Sequence, residues 1–220
     1  MTITFVDIID YLGTFAFAVS GIRLASAKKF DWFGAFIVGM ATAVGGGTLR
    51  DVMLGQSPFW MTKPIYFAIN GFALLLFVFL HKQINRVSNT IFLFDTIGLG
   101  LFTVMGIQKT LDAGFPLWTA NIMGMFTGAA GGVIRDILIN EVPLIFRRDI
   151  YALACCAGGI FFSWGITEGL PLEACTIGCA MAVIIIRLLA VMFHWQLPIL
   201  HDSDNENKAE DKPENQQTMV

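Results

Sequence analysis

The sequence predicts an all-α membrane protein with seven transmembrane helices. Six of them form an inverted repeat of three plus three helices, and the seventh stands outside it. Three observations predict this. The chain of 220 residues is 55% hydrophobic and 14% charged, with a mean hydropathy of +0.67, whereas soluble domains carry about 25% charged residues. Apolar segments of about 20 residues, the length that spans lipid, recur along it. The chain also aligns with itself, without a gap, at an offset of 85 residues.

The segments follow in order. The first, roughly 3–24, contains Ala16-Phe17-Ala18, which imitates a signal-peptide cleavage site. It has no basic stretch before it, and its repeat mate lies in mid-chain, so it is expected to be a helix of the mature protein. The second, 31–55, carries Gly45-Gly46-Gly47-Thr48-Leu49-Arg50-Asp51. The third spans 61–82. The fourth, fifth and sixth, at 90–110, 116–140 and 148–168, are their mates. The fifth carries Ala130-Gly131-Gly132-Val133-Ile134-Arg135-Asp136. The seventh spans 172–195. The chain therefore divides into a first repeat (1–85), a second, inverted repeat (86–170), a seventh helix (171–198) and a tail (199–220). The tail lacks aromatic residues, carries six acids and two bases after Leu200, and is expected to be disordered and cytoplasmic.

The repeat is dense. Asp10, Gly13, Phe17, Val19, Gly21 and Ile22 fall on Asp95, Gly98, Phe102, Val104, Gly106 and Ile107. Gly46, Gly47, Arg50 and Asp51 fall on Gly131, Gly132, Arg135 and Asp136. Three helices per copy is an odd number, so the second copy enters the membrane from the opposite side. Inverted repeats of this kind are typical of transport proteins. Lysine and arginine in the loops set orientation. Arg23, Lys28, Lys29, Lys82, Arg86, Arg147 and Arg148 fall on one side, and Lys63 and Lys109 on the other. The N-terminus is expected outside and the C-terminus in the cytoplasm.

Glycine in a helix costs about 1 kcal/mol relative to alanine, and an intramembrane Arg or Asp at least about 2.5 kcal/mol. Bearing both costs twice, at the same relative place, points to function. Gly45, Gly46 and Gly47, with Gly131 and Gly132, are expected to kink or break their helices near the midplane and form a pore centre. The competing reading is an unbroken helix with a very close neighbour. The opposed depths of the two repeats suggest interhelical pairs Asp10–Arg50 and Asp95–Arg135. Adjacent Arg50 and Asp51, like Arg135 and Asp136, do not face each other on a helix, so each is expected to find its own partner. These six charges either fix helix register or line a water-filled path and control ion access.

The remaining polar residues carry less. Arg187 is expected to snorkel to the interface, and Lys63 and Arg148 to anchor there. Cys175 and Cys179 share a helix face, but with Cys155 and Cys156 they read as small packing residues rather than metal ligands. No cofactor or metal is expected. No hydrolase, zinc-protease or phosphate-loop motif occurs, so an enzyme is not expected. The charge balance gives no reason to expect nucleic-acid binding.

Seven helices, an inverted repeat and paired Gly-Gly-Gly-x-x-Arg-Asp-like motifs, each followed by a proline (Pro58, Pro143), resemble the trimeric intracellular cation (TRIC) channels. The chain is most similar to their prokaryotic relatives, bacterial inner-membrane proteins carrying a "glycine transporter" domain. The resemblance spans about residues 3–195. It implies a homotrimer in membrane lipid with one pore per subunit, lined by the first two helices of each repeat and conducting monovalent cations, K⁺ and Na⁺. The alternative is a secondary transporter of a small amino acid such as glycine, with half-helix N-termini holding its carboxylate.

Overall fold

The computed structural model describes residues 4–86 and 90–198. The expected disordered tail at 199–220 lies outside the described residues. The described chain is helical: α1 (Phe5–Ala27), α2 (Trp32–Met53), a four-residue α3 (Phe59–Thr62), α4 (Ile65–Arg86), α5 (Thr90–Asp112), α6 (Leu117–Leu138), a 3₁₀ turn (Leu144–Phe146), α7 (Ala152–Thr167) and α8 (Leu172–Met192). Five of these helices (α1, α2, α5, α6 and α8) are long and apolar enough to cross a membrane; Ile65–Leu80 and Ala152–Thr167 are shorter apolar stretches.

Local chemistry sets the ends. Thr4 caps α1 in a reciprocal box with Asp7, and the Asp31 carboxylate caps α2 by accepting from Gly34 N–H at 2.6 Å. Such caps satisfy amide donors that the helix itself leaves unpaired. Proline sits at the start of α3, α6 and α8 (Pro58, Pro116, Pro171), where its missing N–H costs nothing. The expected third segment is divided: Pro64 follows α3, and its carbonyl accepts from Phe67 N–H as α4 begins. Left-handed residues end the helices, with Gly55 after α2 and Asn140 at the matching place after α6, the two residue types that tolerate this conformation best.

The second half reproduces the first at the same offset of 85. Shifted by that amount, the bounds of α1 become those of α5, and the bounds of α2 those of α6. The contacts are reciprocal too. Phe17 stacks on Phe102 with ring centroids 5.3 Å apart, and these are repeat mates. Gly13 faces the Phe102 ring while Gly98 faces Phe17. The start of α1 (Val6, Asp10) shares a cavity with the end of α5 (Met105, Lys109), and the end of α1 (Leu24, Ala27) shares another with the start of α5 (Ile91). Helices α1 and α5 therefore run antiparallel. Helix α8 packs on α5 and α7.

Of the kink or break expected at the glycine runs, a break is absent. Helix α2 is wound without interruption through Gly45, Gly46 and Gly47, and α6 through Gly131 and Gly132. The reason is the close approach of the two helices. A methyl group on Gly46 would overlap the carbonyl oxygen of Thr127, and one on Gly131 the carbonyl oxygen of Thr42; Thr42 and Thr127 are themselves repeat mates. In lipid, helices associate through close packing rather than through a hydrophobic driving force. Tertiary contact here outweighs the weak helix propensity of glycine. The flanking glycines make room for side chains: Gly45 for Ile134, Gly47 for the Phe59 ring and Gly132 for the Tyr151 hydroxyl.

Gly46→Ala or Gly131→Ala should therefore lower stability in detergent by about 1–3 kcal/mol, the usual cost of overpacking. Gly71→Ala, where an added methyl meets nothing within 4 Å, should raise it by up to about 1 kcal/mol. Thermal melting of the three purified variants checks this. Indistinguishable melting of the Gly46 and Gly71 variants would remove the close crossing as the explanation for the glycines.

Candidate functional site

Two buried polar clusters lie toward opposite ends of the α1–α5 pair. In the first, α1 supplies Asp10, α2 supplies Arg50 and Asp51, α3 supplies Phe59, α4 supplies Tyr66 and α5 supplies Lys109. Asp51 stands in the last turn of α2. Its Oδ2 accepts from Phe59 N–H at 2.9 Å, and its Oδ1 accepts from Arg50 Nε at 2.8 Å. The same Oδ1 lies 2.7 Å from Arg50 Nη2. The Arg50 guanidinium carbon is 5.6 Å from the Phe59 ring centroid. Asp10 accepts a short hydrogen bond from the Tyr66 hydroxyl, and its other oxygen, Oδ1, has no hydrogen-bond partner.

Two sequence expectations are corrected here. Arg50 and Asp51 do pair with each other. Neighbouring side chains leave a helix about 100° apart, but the arginine arm is long enough to fold back across that angle. The Asp10–Arg50 pair does not form: Tyr66 occupies Asp10, and Asp51 with the Phe59 ring occupies Arg50.

The second cluster joins Asp95 of α5, Arg135 and Asp136 of α6, Ser20 of α1, Tyr151 at the start of α7 and Arg187 of α8. The Asp136 carboxylate repeats the role of Asp51. It accepts from Arg135 Nε at 2.9 Å and from Leu144 N–H at 3.1 Å. The expected Asp95–Arg135 pair is present as a short contact, and Arg135 Nη1 also donates to Ser20 Oγ at 2.8 Å. Arg187 does not snorkel. It is 2% exposed, 4.0 Å from Asp95 Oδ2, and donates to the Ile150 carbonyl at 3.2 Å. Its guanidinium lies 4.9 Å from the Tyr151 ring centroid and 5.0 Å from that of Phe92. A buried guanidinium needs a carboxylate, acceptors and aromatic faces, and this corner of the bundle offers all three.

Both clusters carry two carboxylates and two cations, but they spend them differently. Around Asp95 the charges are in contact. Around Asp10 the second cation, Lys109, sits 5.2 Å from the Phe59 ring centroid and makes no ion pair within 4.0 Å among the described residues. Each cluster opens on a cavity. One of about 250 Å³ is bounded by Asp7, Asp10, Asp51, Lys63, Tyr66 and Lys109. One of about 460 Å³ at the other end is bounded by Lys28, Arg135, Asp136, Glu141 and Arg147. At its mouth Glu141 bonds Lys28 at 2.5 Å and Arg147 at 3.3 Å. The Lys28 ammonium holds the Glu141 carboxyl below its usual range. That contribution to stability is complete above the ordinary glutamate pKa and fades as pH falls through the lowered one. Lys63, expected as an interfacial anchor, is ion-paired with Asp7 at 3.3 Å.

Sequence reasoning missed Tyr66, Tyr151, Lys109 and Ser20 as members of these clusters. The tyrosines carried a signal, since they are repeat mates at 66 and 151 next to the duplicated charges. Lys109 and Ser20 carried none: their repeat positions hold Leu24 and Met105.

Removing one partner of a buried ion pair costs about 3–5 kcal/mol, whereas removing both costs far less. Asp95→Asn and Arg135→Met should each destabilise the purified protein by about that amount. The double variant should be well short of the sum. Additive losses in thermal or denaturant unfolding would show that the two residues do not act as a pair.

The family described as Glycine transporter matches the chain twice, over residues 7–82 and 92–166. The inner membrane protein YadS of Escherichia coli K12, a UPF0126 protein, is 36% identical over 200 residues, covering 90% of this chain and 97% of its own. The structure of the TRIC trimeric intracellular cation channel orthologue from Rhodobacter sphaeroides superimposes with a TM-score of 0.81 at 34% identity, covering 86% of this chain and 98% of that one. A second structure, of a TRIC cation channel studied for its conductance, does so with a TM-score of 0.80 at 32% identity, covering 90% and 98%. Both glycine-rich, charge-bearing halves fall inside the matched segments, and the chain belongs to the glycine transporter family of membrane proteins, as a homologue of the bacterial TRIC channels.

Proposed function

We propose that this protein is a monovalent cation channel for K⁺ and Na⁺, a homotrimer in a bacterial inner membrane with one pore in each subunit. The path runs among α1, α2, α5 and α6, the first two long helices of each half. The observation that carries this reading is the placing of two duplicated, buried charge clusters, Asp10–Arg50–Asp51 and Asp95–Arg135–Asp136, toward opposite ends of one helix pair, with Asp10 and Asp51 lining one cavity and Arg135 and Asp136 another. Charges that only fixed register would need no cavity. Between the two clusters lie the crossing at Gly46 and Gly131 and the Phe17–Phe102 stack. We read these as the closed centre of the path. The likeness to TRIC channel structures supports the same reading.

The fold reading that goes with it has seven spans, six of them an inverted three-plus-three repeat. The antiparallel course of α1 and α5, and the equal offset of their bounds, support it. The N-terminus is periplasmic and the C-terminus cytoplasmic, from the lysine and arginine loop asymmetry. The carboxylates offset the two arginines, so the path need not repel cations. An anion, by contrast, gains nothing from guanidinium groups that are already paired.

Single-channel recording of the purified protein in a planar bilayer with asymmetric KCl tests this. Discrete openings that reverse near the K⁺ equilibrium potential are expected. Asp10→Asn should lower conductance and change rectification, with normal trimer elution on gel filtration. Unchanged permeation in well-folded Asp10 and Arg50 variants would remove the pathway role. A silent bilayer from active-looking trimers would remove the channel itself.

A further inference from the structure

The cavity at Arg135 and Asp136 opens through a basic rim. Lys28 and Arg147 stand at its mouth, and both reach one carboxylate, Glu141, at 2.5 and 3.3 Å. Lys29 and Arg148, their neighbours in sequence, are exposed and make no ion pair within 4.0 Å among the described residues. Four cations and one carboxylate leave an excess of three positive charges at the rim. Asp149 does not offset them, for it lines a separate cavity beside Asp95 and Arg187. Inside the mouth, Arg135 and Asp136 are already paired.

The chain itself brings the complement to this place. After α8, Gln196 pairs with Asp149 in an isolated antiparallel bridge, and Leu197 N–H donates to the Arg148 carbonyl at 2.9 Å. The last described residues are thus fastened to the segment that carries Arg147 and Arg148. Beyond them the sequence reads Asp202-Ser203-Asp204-Asn205-Glu206, three acids with no base among them. Asp202 stands five residues past Leu197, a reach of at most about 18 Å. From that anchor Arg148, Arg147, Glu141 and Lys28 follow one another as chain neighbours or contacts. Exposed ion pairs are weak singly, but a tether this short holds the partners at an effective concentration of roughly millimolar. We propose that the acidic stretch 202–206 seats on this rim, with its carboxylates on Lys28, Lys29, Arg147 and Arg148. On the proposed channel reading, on which this consequence alone rests, the seated acids turn a rim that repels K⁺ into a neutral one and raise entry from that side.

Carbodiimide cross-linking of the full chain tests the seat, because the reagent joins a carboxylate to an amine only where the two touch. In wild-type protein in neutral-lipid vesicles, mass spectrometry should find Lys28 or Lys29 joined to Asp202, Asp204 or Glu206. The Lys28–Glu141 link, formed in the same sample, reports that the rim is intact. The tail link should fall about fivefold or more between 0.1 and 1 M KCl, as the screening length shrinks from about 10 to about 3 Å. A Lys28–Glu141 link without any tail link would overturn the proposal. So would a tail link that vanishes once the vesicles contain anionic phospholipid, since the rim would then belong to lipid headgroups. Single-channel current addresses the consequence. The triple variant Asp202→Asn, Asp204→Asn, Glu206→Gln should lower K⁺ current entering from the tail side about twofold or more at about 0.02 M KCl, and leave it unchanged at about 1 M. Equal currents at both concentrations would overturn the role in entry. Cross-linked wild-type protein that conducts no K⁺ would uphold the seat and overturn only the channel reading.

Discussion

The structure depends on keeping two guanidinium groups neutralised in the interior of a membrane protein. Arg50 and Arg135 are each 1% exposed, and each is held by the aspartate next to it in sequence. That aspartate uses its second oxygen to accept an amide N–H eight residues on, from Phe59 in one half and Leu144 in the other. One carboxylate thus satisfies a buried charge and also fixes where the chain turns after its helix. Because the arrangement is local, it survives duplication intact, and the surrounding helices can differ between the halves.

They do differ. Around Asp95 the cation count is completed by Arg187 from α8, a helix with no counterpart in the first half, and Arg135 reaches across to the carboxylate. Around Asp10 a tyrosine takes the place of the arginine, and the extra cation is Lys109 from the end of α5. A duplicated frame therefore carries two chemically unequal ends.

The glycine runs explain how the frame closes. At Gly46 and Gly131 the backbones of α2 and α6 approach so closely that a methyl group would meet a main-chain carbonyl. The helices stay continuous because packing in lipid favours small residues at a seam. The two stacked phenylalanines, Phe17 and Phe102, fill the space beside that crossing.

By itself the sequence determined the class of the protein, the approximate course of the long helices and the 85-residue duplication, and it singled out the six duplicated charges that are buried. These are legible because they are periodic or compositional: lipid demands long apolar runs, and a duplication leaves matched residues at one offset. The pairing of Asp95 with Arg135 was legible for the same reason. The tertiary structure decided what spacing alone does not encode. It decided whether a glycine run breaks or packs, because that turns on what stands opposite. It decided that Arg50 takes Asp51 while Tyr66 takes Asp10, because side-chain reach and competing partners choose among contacts of similar strength. And it decided that Lys109, and Arg187 in place of the interfacial position expected of it, complete the two clusters, because only folding brings α5 and α8 to those corners.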